Sequence, residues 1–274
     1  MNTATAIALR NEIGKGLRFA WSERLQILIE LPMFAVFVIL LGPLLGHGAN
    51  LASGRVDWSL NSQTTSAMVV WFVPFTFFYM QVVKMFWRLL GEIQAGTIEQ
   101  VFLSPLPPWL VAGAGRVAAA VLETLFVAAA SYGIVSAFVT IHLHWTAAAL
   151  VPTAAIMIAA VGLSLIIAGA TLVYKRIQIV NDLVLLMVMI FSASALPLIH
   201  VPGWWSDAGH AFPATDGVGS LYNTMLAHRS VTAAWGTGGL VPLLAISAAY
   251  LLAGLGAFIL GGHAARGRGT LGRY

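Results

Sequence analysis

Five stretches of this 274-residue chain contain no Asp, Glu, Lys or Arg, and the longest, between Glu123 and Lys175, runs for 51 residues. The others separate Glu30 from Arg55 (24 residues), Asp57 from Lys84 (26), Asp182 from Asp207 (24) and Arg229 from Arg266 (36). A helix needs about 20 apolar residues to cross a bilayer. Each run therefore holds one crossing and the longest holds two, broken at Thr140-Ile141-His142-Leu143-His144-Trp145. Six spans are predicted, near 30–48, 64–87, 114–139, 146–173, 180–199 and 238–262. The runs are continuously apolar instead of alternating, which favours helices over a barrel. The expected fold class is an all-α membrane protein, one domain over 1–274. With 59% apolar and 9% charged residues, a chain this short cannot hide its apolar faces in a soluble core. Disorder is excluded by the same numbers. The absence of cysteine removes disulfides and thiolate chemistry.

Orientation follows from the basic residues. If both termini are cytoplasmic, the inside carries twelve Lys and Arg and the outside only Arg55 and Arg229. That is a strong positive-inside bias. It accounts for the pI of about 9.7 and makes nucleic acid an unexpected partner. The expected location is the plasma membrane. The apolar stretch starts only near Leu31, so a cleaved signal peptide fits poorly. Before it, Ile13, Leu17, Trp21, Leu25 and Leu28 recur at helical spacing, with Lys15 and Arg18 on other faces. This predicts an interfacial helix over 8–28, apolar side against the lipid.

The segment 88–110, joining the second and third spans on the cytoplasmic side, reads RLLGEIQAGTIEQVFLSPLPPWL. Thr97 and Gln100 fit a capping box, with Ile98, Val101 and Phe102 as one apolar edge and Ser104-Pro105 as the stop. A short, rigid helix exposing Glu99 and Gln100 is expected.

The string Glu92-x3-Gly96-Thr97-Ile98-Glu99-Gln100, followed by Leu103-Ser104-Pro105-Leu106, resembles the cytoplasmic loop of ABC-2-type transporter permeases. The departures are Ile98 where Leu is usual and a reduced charged run before the glycine. The resemblance implies a six-span exporter half whose loop forms a coupling helix in a cleft of a separate ATP-binding subunit. Glu92, Gly96, Thr97, Glu99, Gln100, Ser104 and Pro105 would make that contact. It further implies a homodimer joined to two copies of the ATPase, which would hold ATP and Mg, with no cofactor on this chain. The expected cargo is hydrophobic or amphipathic, such as a drug-like molecule or lipid; a lipid-linked glycan is the alternative. The stretch from His200 to Arg229 looks like the outer re-entrant segment of these permeases, a plain loop rimmed by interfacial Trp being the other reading.

Trp71, Phe75, Phe78 and Tyr79 are expected on one face of the second span, and Met187 and Phe191 in the fifth. In such permeases the second and fifth spans flank the path, so these six are candidate substrate contacts; ordinary helix packing is the competing account. Glu123 is the acidic residue well inside a span, which marks it for attention. Arg116 at i−7, Lys175 or Arg176 would make it structural. His142-x-His144 lacks a third ligand at metal-site spacing, so no metal is expected. The chain lacks G-x-x-x-x-G-K-[ST], with Gly14-Lys15-Gly16 missing both the upstream Gly and the hydroxyl, so it is not expected to be an ATPase. A membrane-embedded enzyme or a channel are the alternatives of another class, but neither clustered catalytic groups nor a filter-like segment is visible.

Overall fold

The computed structural model describes residues 3–22, 62–103, 115–174, 177–196, 202–230 and 239–267, with isolated positions among 25–39 and at 113. Nine α-helices lie among the described residues: α1 (Thr3–Ser22), α2 (Ser62–Gln94), α3 (Ile98–Leu103), α4 (Gly115–Phe138), α5 (Leu150–Tyr174), α6 (Gln178–Ala193), α7 (Gly203–Gly209), α8 (Pro213–Met225) and α9 (Leu240–Gly267). A single 3-10 turn, Ala147–Ala149, leads into α5, and no strand occurs among the described residues.

Four helices, Gln63–Gln94, Gly115–Phe138, Ala147–Tyr174 and Leu240–Gly267, are long and apolar enough to cross a membrane. The chain is a multi-pass membrane protein. The predicted span 30–48 falls almost wholly outside the described residues. The predicted span 180–199 is the 16-residue α6, about 24 Å long and short of a full hydrocarbon core. By contrast α2, with 33 residues, reaches about 50 Å and continues past the predicted end at 87.

α2 is the hub. Phe78, Met80 and Phe86 are fully buried, and its apolar side chains enter all three core clusters. Pro74 sits inside it and supplies no N–H, while Thr76 Oγ1 donates to the Phe72 carbonyl at 2.9 Å.

α5 and α9 run parallel and touch backbone to backbone. A Cβ added at Gly162 would meet Leu251 N at 2.5 Å, and one at Gly169 would meet Phe258 N at 2.9 Å. From the other side, Gly254 abuts the Gly162 carbonyl and Gly261 the Gly169 carbonyl. Both glycine pairs are seven residues apart, so the contact repeats every second turn.

α7 and α8 fill the stretch read as a re-entrant segment. Pro at the first position of α8 suits a helix start, because its missing N–H has no intrahelical partner there. The 13-residue α8 is buried among α2, α5, α6 and α9. Its C-terminal Met225 carbonyl accepts from His144 N at 2.9 Å, while Ala211, just before it, accepts from Tyr250 Oη at 3.1 Å, ten residues into α9. α8 therefore runs from beside Tyr250 of α9 to the His144 end of the bundle.

Candidate functional site

The end of the bundle carrying Glu92 is built from the close of α2. Thr97 N–H donates to the Glu92 carbonyl at 3.1 Å and Gly96 N–H to the Ile93 carbonyl at 3.2 Å, with Gly96 at φ 71°. These are the two bonds of a Schellman turn, and a left-handed residue in it favours glycine. Gly96 is thus required by backbone geometry. The Thr97 hydroxyl donates to the same Glu92 carbonyl at 3.3 Å, so it closes α2, where the capping-box reading had it opening the next helix. α3 then starts at once, with no linker to absorb motion. Gly96→Val is expected to cost about 1–2 kcal/mol, read as a melting temperature lowered by several degrees in detergent. Gly91→Ala, where an added Cβ meets nothing within 4 Å, should cause no loss.

α3 has six residues and cannot hold a helix alone. Ile98 and Phe102 anchor it in a cluster with Met85, Leu89 and Ile93 of α2, Leu165 and Leu172 of α5, and Phe258 of α9. The Arg266 guanidinium lies 5.2 Å from the Phe102 ring centre, a cation–π contact. The opposite face presents Glu99 and Gln100 to the surroundings, together with Leu103, which is 84% exposed. Ser104 and Pro105 lie outside the described residues.

Behind α3 stands a collar of charge. Glu92 turns inward: its carboxylate accepts from Arg116 Nη2 of α4 and from Lys15 Nζ of α1 at 3.1 Å. It is therefore a tie between three helices. Its neighbour along α4 is Glu123, which binds Lys84 Nζ at 3.1 Å and Arg88 Nη2 at 2.6 Å. All three are buried, with relative exposures of 5%, 3% and 8%. The expected partners of Glu123 are corrected here: Arg116 is taken by Glu92, and Lys175 and Arg176 lie outside the described residues. The reason is packing, since α2 lies along α4 and presents Lys84 and Arg88 at i, i+4 on one face. Buried charges persist only when paired, so Glu123 is the clamp between α2 and α4. Next to it, Gln81 Nε2 donates to Thr124 Oγ1 at 3.5 Å.

α1 begins earlier than the predicted residue 8. The helix runs from Thr3 to Ser22, and Gly16 presses on Ala119 of α4. Lys15 reaches Glu92, and Leu17, Trp21 and Leu25 are exposed.

Of the aromatic candidates, Trp71, Phe75 and Phe78 are buried core residues, while Tyr79 and Phe191 are half-buried. Trp71 stacks on Phe75 with ring centres 6.4 Å apart and donates Nε1–H to Ser192 Oγ of α6 at 2.9 Å. Tyr79 is tilted against Phe75 at 6.0 Å. Phe78 is fully buried in the neighbouring cluster, with Ile156 of α5 and Leu221 of α8. Phe191 stacks on Phe212 at 5.1 Å and packs on Trp205 at 5.2 Å, which ties α6 to α7 and α8. Met187 is half-buried on α6.

At the other end, His142 N donates to Ser66 Oγ at 2.9 Å, and the His144 and His228 rings meet edge to face at 5.0 Å. Sequence reasoning did not single out His210 and Asp216. Their side chains meet at 2.6 Å, Nδ1 to Oδ1, across the turn from α7 to α8. The available signal was Asp216 in the first turn after Phe212-Pro213.

Neither a family model, nor a curated protein, nor a solved structure matches this chain. The geometry of the Glu92 end, with an anchored helix on a charged collar, is what any functional reading has to use.

Proposed function

We propose that this chain is the transmembrane subunit of an ATP-driven exporter of the ABC-2 type, energised by a separate ATP-binding subunit. The observation that supports the reading is α3: a short helix anchored by Ile98 and Phe102 on three longer helices, with Glu99, Gln100 and Leu103 facing away. An element anchored on one side and bare on the other suits a contact that receives force. The collar of Lys15, Glu92, Arg116, Lys84, Glu123 and Arg88 would pass that force to α1, α2 and α4.

In this reading the protein has six spans, with both termini and α3 on the cytoplasmic side of the plasma membrane. Two copies pair, and each engages one ATPase. The cargo is hydrophobic or amphipathic. Because Trp71, Phe75 and Phe78 are buried in packing contacts, the path runs between the two copies rather than through one bundle.

Leu103→Asp and the pair Glu99→Arg/Gln100→Ala test the reading. Each alters exposed atoms only, so melting should be unchanged. Co-purification with the ATP-binding companion and stimulation of its ATP turnover should fall about tenfold or more, as for a central interface residue. Wild-type binding and stimulation by both variants would overturn the assignment.

A further inference from the structure

We propose that His210 and Asp216 form a proton-binding site that sets how firmly the α7–α8 helix pair is held in the bundle. The argument begins with burial. Asp216 is 3% exposed, four residues into α8, yet His210 of the same contact has a side chain 55% exposed. The dyad therefore connects a buried carboxylate to the surroundings through one imidazole. Asp216 Oδ1 takes the histidine at 2.6 Å, and Oδ2 has no hydrogen-bond partner among the described residues. A buried carboxylate with half its valence unmet favours a proton on the pair.

The position gives the proton a mechanical consequence. His210 follows the last residue of α7 and Asp216 lies in the first turn of α8, so their contact spans the turn between the two helices. The rest of that turn is held by Tyr250 Oη on the Ala211 carbonyl and by the Phe191–Phe212 stack.

Other charges do not displace this pairing. On α7, Asp207 is exposed. α5 carries no charged residue among those described, and Tyr174 is at its far end. On α9, Tyr250 is committed to Ala211, and His263 and Arg266 lie at the opposite terminus. On α2, Lys84 and Arg88 bind Glu123, Glu92 binds Arg116, and Tyr79 packs on Phe75. Asp182 sits at the start of α6, Tyr222 is half-buried further along α8, and His142, His144, His228 and Arg229 gather beyond its C-terminal end.

α8 is not a span, and burial pushes the Asp216 carboxyl above its ordinary value, against the lowering effect of His210. A native state that holds a proton more tightly than the unfolded chain gains stability as pH falls through the folded value and loses it as pH rises.

The test uses the full chain in lipid nanodiscs. Hydrogen–deuterium exchange of peptides covering 203–225 is compared at pH 5.5 and 8.0, after correction for the intrinsic exchange rate. Wild type should exchange about fivefold more slowly at pH 5.5, the worth of one partly exposed ion pair. His210→Gln and Asp216→Asn should each reduce that difference below about twofold, and permanently charged His210→Arg should stay slow at both values. α9 peptides should respond equally in all four proteins. Equal wild-type protection at the two pH values, or an undiminished pH response in His210→Gln and Asp216→Asn, would overturn the proposal.

Discussion

Glu123→Leu is expected to lower the folded yield more than any other single change in the charged collar. Lys84 and Arg88 both bind the Glu123 carboxylate, at 3.1 and 2.6 Å, and all three groups are buried. Removing one member of a buried charge set costs about 3–5 kcal/mol, because the opposite charges stay desolvated. The melting temperature in detergent should drop by about 10 °C, with aggregation on size-exclusion chromatography. Replacing Lys84, Arg88 and Glu123 together by Met should recover much of the loss, since a well-packed apolar triad avoids desolvation. A Glu123→Leu protein that melts like wild type would mean that α2 and α4 are not held together by this triad.

The second large effect is expected where α5 meets α9. A Cβ at Gly254 would press on the Gly162 carbonyl, and one at Gly162 would lie 2.5 Å from Leu251 N. Both obstacles are main chain, so no rotamer change relieves them, and the helices must separate. Overpacking of this kind costs about 1–3 kcal/mol and often more when backbone must move. Gly254→Val and Gly162→Val should each melt well below wild type, and the double variant no better than either alone. Gly256→Ala, two residues along on a face where an added Cβ meets nothing within 4 Å, should be silent. Equal melting of Gly254→Val and Gly256→Ala would refute the close contact.

Much of the architecture was legible in the charge-free runs. The predicted spans 114–139, 146–173 and 238–262 correspond to Gly115–Phe138, Ala147–Tyr174 and Leu240–Gly267. The end of α2 was not legible, because Lys84 was read as the limit of an apolar run. In the structure Lys84 and Arg88 are covered by Glu123, so the helix continues past them to Gln94. The same neighbour relation explains the misassigned partner of Glu123: spacing along α4 pointed to Arg116, and only the arrangement of separate helices reveals α2. The Gly162/Gly169 and Gly254/Gly261 repeats were present as matching seven-residue intervals, but pairing two distant segments needs three dimensions.

For the segment that closes α2, the glycine in Glu92-x3-Gly96 was read as part of a contact motif. Its left-handed φ and the two Schellman bonds give it a local task, and Glu92 has an internal one. The outward positions Glu99 and Gln100 are where the apolar edge of α3 placed them. His210 and Asp216 stayed hidden because the stretch was read as a re-entrant segment or a plain loop, with no helix limits that would bring the two together.

The glycine contacts also limit how this bundle can deform. With main chain resting on main chain at two levels, α5 and α9 have no side-chain cushion that would let one slide or roll against the other. They behave as a single stiff plank, and α3 is bolted to it through Phe102. Any change of shape must then occur at softer seams. α4 meets α2 instead through side chains, the buried Lys84–Glu123–Arg88 set, which any such change has to keep paired.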